Sequence, residues 1–275
     1  MEYIILNNKI IEKGKEGISF DNRGFNYGDG LFESIIVKDG KIRFIEDHYE
    51  RLIKGIASFQ ILLPEFFTLP FLVHQIQLLT EKNKCLPDAR IKVIIWRKTG
   101  GLFTPASQEL DFLISATLYT APQELVKNKV FFYENIRRSF SPLSSFKTLS
   151  ASVYVMASLA KKSSGADDMI LLDDKGYISE CTNSNIFFTK NSKLYTPSLQ
   201  CGCIEGILRK QIIHICRNDR ISLEEGQFSK EELLDSDYVF TCNVAGMAPV
   251  RSLGDVAFSV SDPLFEMLQN RLAEI

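Results

Sequence analysis

The chain reads as a two-domain α/β protein of the α+β type, with a small N-terminal domain and a larger, strand-rich C-terminal one. Three observations predict this. Over residues 1–119, short runs rich in Ile, Val and Phe alternate with two segments of helical period. Beyond residue 124 the apolar runs are short and separated by turn signals such as Asp173-Asp174-Lys175-Gly176. The 275 residues suffice for two ordinary domains, and 45% hydrophobic with 24% charged residues is a globular balance.

The elements follow in order. Asn7-Asn8 is a two-residue turn between strands over 3–6 and 9–11. The run Arg23-Gly24-Phe25-Asn26-Tyr27-Gly28-Asp29-Gly30 reads as a glycine-bearing loop whose aromatics could line a cavity. A strand over 31–37 turns at Asp39-Gly40 into another over 41–44. Residues 46–59 form a helix with acids in the first turn and an apolar stripe of Tyr49, Leu52, Ile53, Ile56 and Phe59. A second helix covers 69–82, and strands are expected over 90–97 and 112–119. Residues 120–124 read as the link to the C-terminal domain, which spans 125–275.

In that domain, strands are expected over 128–132, 169–172, 177–179, 185–189, 193–195 and 238–243. A helical segment follows Lys147, and another opens at Gly206-Ile207-Leu208 and runs to Cys216.

Composition bounds the function. A net charge of −2 gives no reason to expect nucleic acid or an anionic membrane. No apolar run reaches the length of a membrane span, and the N-terminus lacks the basic flank of a signal peptide. The six cysteines show no CxxC spacing, which favours reduced thiols in a cytoplasmic enzyme. His48, His74 and His214 lie far apart in sequence and suggest no metal site.

Lys147 and Glu180 bracket a helix, a loop and a two-strand turn. An amine and a carboxylate so delivered suit pyridoxal phosphate, which needs an amine for a Schiff base and an acid to hold its ring nitrogen protonated. Taken alone, they read as a solvated lysine and an exposed strand-end glutamate. Arg51 lies off its helix's apolar stripe, on a face shared with His48 and Gly55. It is either a solvated helix arginine or a guanidinium aimed at a phosphate; off the stripe, its substitution should leave the fold intact. The helix start at Gly206 offers free N–H groups, although most helix starts bind nothing.

The motifs combine in order: Phe25-x-Tyr27-Gly28-Asp29-Gly30-x-Phe32-Glu33, His48-x-x-Arg51-Leu52, Lys147, Glu180-x-x-x-Ser184-Asn185-Ile186-Phe187, Gly206-Ile207-x-Arg209 and Pro249-Val250. On these residues the chain resembles the class IV aminotransferases, the fold-type IV pyridoxal-phosphate enzymes. That family includes branched-chain and D-amino-acid aminotransferases and 4-amino-4-deoxychorismate lyases. The resemblance spans nearly the whole chain. It implies that Lys147 forms the Schiff base and shuttles protons, and that Glu180 pairs with the pyridinium nitrogen. Arg51 and the backbone N–H groups of Ile207 and Leu208, after Gly206, would bind the cofactor phosphate. Asn243 occupies the place of a phosphate-binding Thr, and Ser184 and Asn185 would complete the cofactor site. Phe32 and Ser34 would face the substrate. The family architecture is a homodimer with the cofactor between the domains and the neighbouring subunit closing the pocket.

Departures from the family pattern bear on the reaction. Leu208 replaces a common Thr, Ser152 stands where branched-chain enzymes have a cofactor-contacting Tyr, and Leu102 replaces a carboxylate-binding Arg. Lys92 resembles a lyase position and offers a substitute cation, or is a surface strand lysine. The expected activity is transfer of an amino group between an amino acid and a 2-oxo acid. The alternatives are a lyase releasing pyruvate and 4-aminobenzoate from aminodeoxychorismate, in folate synthesis, and a non-catalytic cofactor-binding member.

Overall fold

Asn7 and Asn8 both take left-handed backbone, φ 46° and 67°, and reverse β1 (Tyr3–Leu6) into β2 (Lys9–Glu12). This hairpin opens a computed structural model that describes residues 2–15, 17–121 and 126–275. The chain divides into two compact units. The first is Met1–Ala121 with Phe146–Ser150; the second is Pro122–Ser145 with Ala151–Ile275. The expected link over 120–124 lies outside the described residues from 122 onward.

The first unit continues with α1 (Arg23–Tyr27), β3 (Gly30–Lys38), β4 (Lys41–Ile42), α2 (Ile45–Ser58), α3 (Leu69–Lys82), β5 (Ala89–Arg97) and β6 (Leu110–Leu118). Its six strands form one antiparallel sheet in the order β2-β1-β6-β5-β3-β4. Register sorts the side chains. Leu31, Ile35 and Val37 share a face with Ile91, Val93, Ile95, Phe112 and Ile114. That face packs on Leu52 and Ile56 of α2 and on Leu72, Ile76 and Leu79 of α3. Each such side chain, fully buried, contributes roughly 1.5 to 3 kcal/mol. Phe32, Ser34, Lys92, Ile94 and Ser115 occupy the opposite face.

Local chemistry explains the ends. The strand expected over 41–44 stops at Ile42 because Phe44 turns left-handed (φ 51°) to enter α2. Thr68 caps α3, accepting from the Phe71 N–H, with Pro70 in the first turn. The expected glycine loop contains a short helix, α1, and Phe25 and Tyr27 lie exposed on this unit rather than lining a cavity within it.

The second unit holds β7 (Val130–Arg138), α4 (Ser152–Ser164), β8 (Asp168–Asp173), β9 (Ile178–Cys181), β10 (Asn185–Lys190), β11 (Lys193–Pro197), α5 (Ile207–Asn218), β12 (Leu223–Gly226), α6 (Lys230–Leu234), β13 (Tyr238–Asn243), β14 (Gly246–Pro249), β15 (Ser252–Leu253), β16 (Val256–Ala257) and α7 (Pro263–Glu274). They build two five-stranded sheets, β12-β11-β10-β13-β14 and β16-β15-β7-β8-β9. A shared core of Val130, Ile170, Leu172, Ile178, Ile186, Phe188, Val239 and Val250 joins both. β7 runs six residues past its expected end, because its polar tail Glu134-Asn135-Ile136-Arg137 bulges before Arg138 pairs with Asp173.

Candidate active site

The first unit holds an amine and a buried ion cluster. Phe146–Ser150 lies against the start of β3. The Phe32 N–H donates to the Lys147 carbonyl at 2.8 Å, and the Leu149 N–H to the Gly30 carbonyl at 2.9 Å. Lys147 therefore sits on a short extended segment, ahead of α4 rather than inside it. Its ammonium lies 5.1 Å from the centroid of the Phe32 ring, and the Lys92 ammonium lies 5.2 Å from the same centroid. Ser34 pairs across the sheet with Lys92 and is buried.

Glu33 points to the other face, among the apolar residues under α2. A lone carboxylate there would be costly. It is met by His48 Nδ1 at 2.7 Å and by Arg51, whose Nε and Nη2 reach its two oxygens at 2.7 and 2.6 Å. Burial pushes the Glu33 carboxyl up, but Arg51 and His48 together outweigh it and pull it down to about 2. His48, Arg51 and Gly55 thus form a second buried face of α2, and the alternative of a solvated helix arginine is excluded: Arg51 is 6% exposed. Gly55 is small because a Cβ there would lie 3.3 Å from both Leu31 and Phe146 side-chain carbons.

The second unit holds an acid and a helix start. Glu180, on β9, is buried. Its Oε1 accepts the Tyr154 hydroxyl at 2.6 Å, and its Oε2 accepts the Ile204 N–H at 3.1 Å. Arg138 Nε lies 3.6 Å from Oε1. The expected exposed strand-end carboxylate is therefore excluded. Tyr154 was not among the expected site residues. A Tyr in the third position of an apolar helix gives no sign in sequence that its hydroxyl finds a carboxylate.

Gly206 caps α5 without any side-chain cap bond, so the N–H groups of Ile207 and Leu208 stand in the first turn, where helix geometry supplies no acceptor. A Cβ on Gly206 would come within 2.0 Å of Asn185 Oδ1, while Asn185 Nδ2 donates to the Ile204 carbonyl at 2.8 Å. Ser184 is buried with its hydroxyl 3.4 Å from Asp168 Oδ2. Asn243 donates to the Asn183 carbonyl and accepts from the Ala245 N–H, so its carboxamide helps close the β13–β14 turn. All six cysteines are free and buried, and burial raises the Cys203 and Cys242 thiols to about 12, which leaves them protonated and unreactive.

Comparison with known proteins bears on the family and the fold. Residues 30–253 match the model of the family described as amino-transferase class IV. The "Probable branched-chain-amino-acid aminotransferase" of Rickettsia bellii is 28% identical over 249 residues, covering 90% of this chain and 84% of that one. The aminodeoxychorismate lyase of Vibrio harveyi is 26% identical over 255 residues, covering 90% and 91%. In fold, the crystal structure of a branched-chain aminotransferase from Thermoproteus uzoniensis superposes with a TM-score of 0.90 at 21% identity, over 99% of this chain and 94% of that one. Among the described residues no helix is long and apolar enough to cross a membrane. With the family match extending from the first residue of β3 to the last of β15, the chain belongs to the class IV aminotransferases.

Proposed function

We propose that the chain is a pyridoxal-phosphate-dependent aminotransferase that moves an amino group between an amino acid and a 2-oxo acid, with Lys147 as the amine that joins the cofactor. The observation that carries this reading is the placement of Lys147. Backbone bonds to β3 hold it on an extended segment, with its ammonium over the Phe32 ring. The donor set fits the cofactor. Glu180 is a buried acid held by Tyr154 and Ile204, and the uncapped first turn of α5 suits a phosphate. When bound, pyridoxal phosphate supplies an aldehyde carbon that joins amines and a ring that withdraws electrons from the substrate Cα.

In this reading Lys147 moves the proton at Cα, and Glu180 holds a proton on the ring nitrogen. The N–H groups of Ile207 and Leu208 bind the phosphate, with Ser184, Asn185 and Gly206 shaping the surface around that helix start. Arg51 supplies positive charge to the phosphate while its Nε and Nη2 stay on Glu33. Asn243 contributes through its place at the end of β13, since its side chain bonds within the turn. Phe32 and Ser34 face the substrate from the sheet. A homodimer in the cytoplasm belongs to the same reading, on the family likeness and the six buried free thiols; light scattering tests the dimer.

A second reading is favoured by Lys92. Its ammonium faces the same Phe32 ring as Lys147 and suits a substrate carboxylate. With Leu208 in place of a hydroxyl, this supports lyase chemistry on aminodeoxychorismate. One experiment separates the readings. The holoenzyme is offered a panel of amino donors with a 2-oxo acid acceptor, and aminodeoxychorismate with none. Amino transfer is expected; pyruvate released without an acceptor would establish the lyase instead. No turnover in either arm would leave the non-catalytic cofactor binder, against which Lys147 and Glu180 speak.

A further inference from the structure

Tyr154 stands seven residues after Lys147, two beyond Ser152, which is exposed at the start of α4. Its hydroxyl donates to Glu180 Oε1 at 2.6 Å. The Arg138 guanidinium carbon lies 5.0 Å from the centroid of the Tyr154 ring, and Arg138 Nη2 donates to the Gly202 carbonyl at 2.8 Å. Arg138 Nε, 3.6 Å from Glu180 Oε1, is buried with no hydrogen-bond partner among the described residues. Tyr154 therefore makes the short bond to this carboxylate oxygen, and the Arg138 guanidinium lies beside both groups. Burial, and then the charge of Glu180, push the Tyr154 hydroxyl far above the ordinary tyrosine range, so it remains a donor at any working pH.

We propose that Tyr154 is a positioning residue for the reaction: it aims the Glu180 carboxylate and keeps it charged, so that the proton shared with the cofactor's ring nitrogen stays on the nitrogen. The inference rests on the reading of Glu180 as the ring nitrogen's partner. The physics is direct. A donor on a carboxylate oxygen favours the ionised form and lowers its affinity for a further proton. It also selects one rotamer of a side chain that otherwise has several. Removing the hydroxyl makes the carboxylate both a better base and a less well-directed one. Both changes draw the shared proton away from the ring nitrogen. No group is transferred and no redox change is involved; only the resting place of one proton moves.

The test uses holoenzyme reconstituted with pyridoxal phosphate carrying 15N in the ring, read by nitrogen NMR, with thermal melting alongside. In the natural protein the ring-nitrogen resonance should lie at its protonated position. Tyr154→Phe keeps the ring and its packing, and should move the resonance toward the unprotonated position. It should also lower kcat about tenfold to a hundredfold with little change in KM, the scale of a hydrogen bond to a charged group. A difluorotyrosine placed at 154 is a stronger donor and should restore the signal that Phe loses. Glu180→Gln should move the resonance fully to the unprotonated position. If Glu180→Gln shifts the signal and folded Tyr154→Phe does not, the role of Tyr154 is overturned while that of Glu180 stands. If Glu180→Gln leaves the signal unmoved, both fall. A Tyr154→Phe protein that melts early with an unmoved resonance would make Tyr154 purely structural and equally overturn the proposal.

Discussion

Arg51 meets Glu33 as a two-pronged fork, Nε to Oε1 at 2.7 Å and Nη2 to Oε2 at 2.6 Å, beneath the helix that carries the arginine. The pair lies in the hydrophobic layer of the first unit, 6% and 2% exposed. It joins β3, whose next-door Phe32 faces Lys147, to α2, whose Leu52 and Ile56 anchor the core.

The fork makes Arg51 structural as well as a candidate for the phosphate. Removing one partner of a buried pair leaves an uncompensated charge, a loss of about 3 to 5 kcal/mol. Arg51→Ala should therefore melt well below the natural apo protein, contrary to the expectation from its place off the apolar stripe. In a Glu33→Gln background the same substitution should cost much less, a coupling of roughly 1 to 3 kcal/mol in a double-mutant cycle. Additive losses in that cycle would show that the fork contributes nothing beyond packing.

Acid should reveal the same pair. The Glu33 carboxyl sits at about 2 when folded, below its ordinary 4.5. Between those values the unfolded chain binds the proton and the folded chain does not, so stability rises with pH across the window. The contribution, on the order of 3 kcal/mol, is complete above about pH 4.5 and vanishes as pH falls through about 2. Urea melts of the apo protein from pH 5 to pH 2 should show this slope, and Glu33→Gln should flatten it by that one group's share. Parallel curves for the two proteins would remove Glu33 from the acid response.

The fold was legible where local chemistry and burial agree. The Asn7-Asn8 hairpin, the helix at Leu69–Lys82 and the strand at Tyr238–Asn243 follow from turn residues, a Thr cap and apolar runs. α7 starts on an Asp cap followed by Pro, a start signal written in the sequence itself. The polar tail of β7 hid its length, because a bulged strand breaks period-2 alternation. In the candidate site, Lys147, Glu180 and Gly206 are proposed from their order along the chain. The partners of the buried acids could not be proposed in this way. Glu33 with His48 and Arg51, and Glu180 with Tyr154, are long-range pairs of residue types common on any surface. Nothing local distinguishes a buried pair from two solvated charges.

Borohydride reduction of the holoenzyme should place the cofactor label on Lys147. The alternatives are specific. Lys92 faces the same Phe32 ring at nearly the same distance, and Lys161 and Lys162 lie in the last turn of α4. Lys147 differs in its place ahead of α4 in the family order, on a segment tied to β3 by its own carbonyl, which accepts the Phe32 N–H, and by the Leu149 N–H, which donates to the Gly30 carbonyl. An amine so rooted presents its nitrogen to one place, which covalent chemistry requires. Peptide mapping should find one labelled lysine, and Lys147→Ala should bind cofactor without a reducible link. Label on Lys92, Lys161 or Lys162 with Lys147 unmodified would refute the assignment.

Gly206→Ala tests the helix start. Gly206 has φ −64° and ψ 141°, a conformation open to alanine, so chain entropy alone predicts a gain of about 0.4 to 1 kcal/mol. The packing predicts the reverse. The new Cβ would lie 2.0 Å from Asn185 Oδ1 and 3.2 Å from its Cγ, and Asn185 is buried and bonded to the Ile204 carbonyl. Either the amide rotates and breaks that bond, or the first turn of α5 shifts; overpacking of this kind costs about 1 to 3 kcal/mol. The apo variant should melt lower than the natural protein. Its affinity for pyridoxal phosphate should fall about tenfold, since a displaced turn misdirects the N–H groups of Ile207 and Leu208 by the worth of one charge-assisted hydrogen bond. Adding Asn185→Ala removes the clash and should raise the melting point of the Gly206→Ala protein, even though the bond to Ile204 is lost. A Gly206→Ala protein that melts at or above the natural one, with unchanged cofactor affinity, would show that Gly206 is not packed against Asn185 and that the phosphate lies elsewhere.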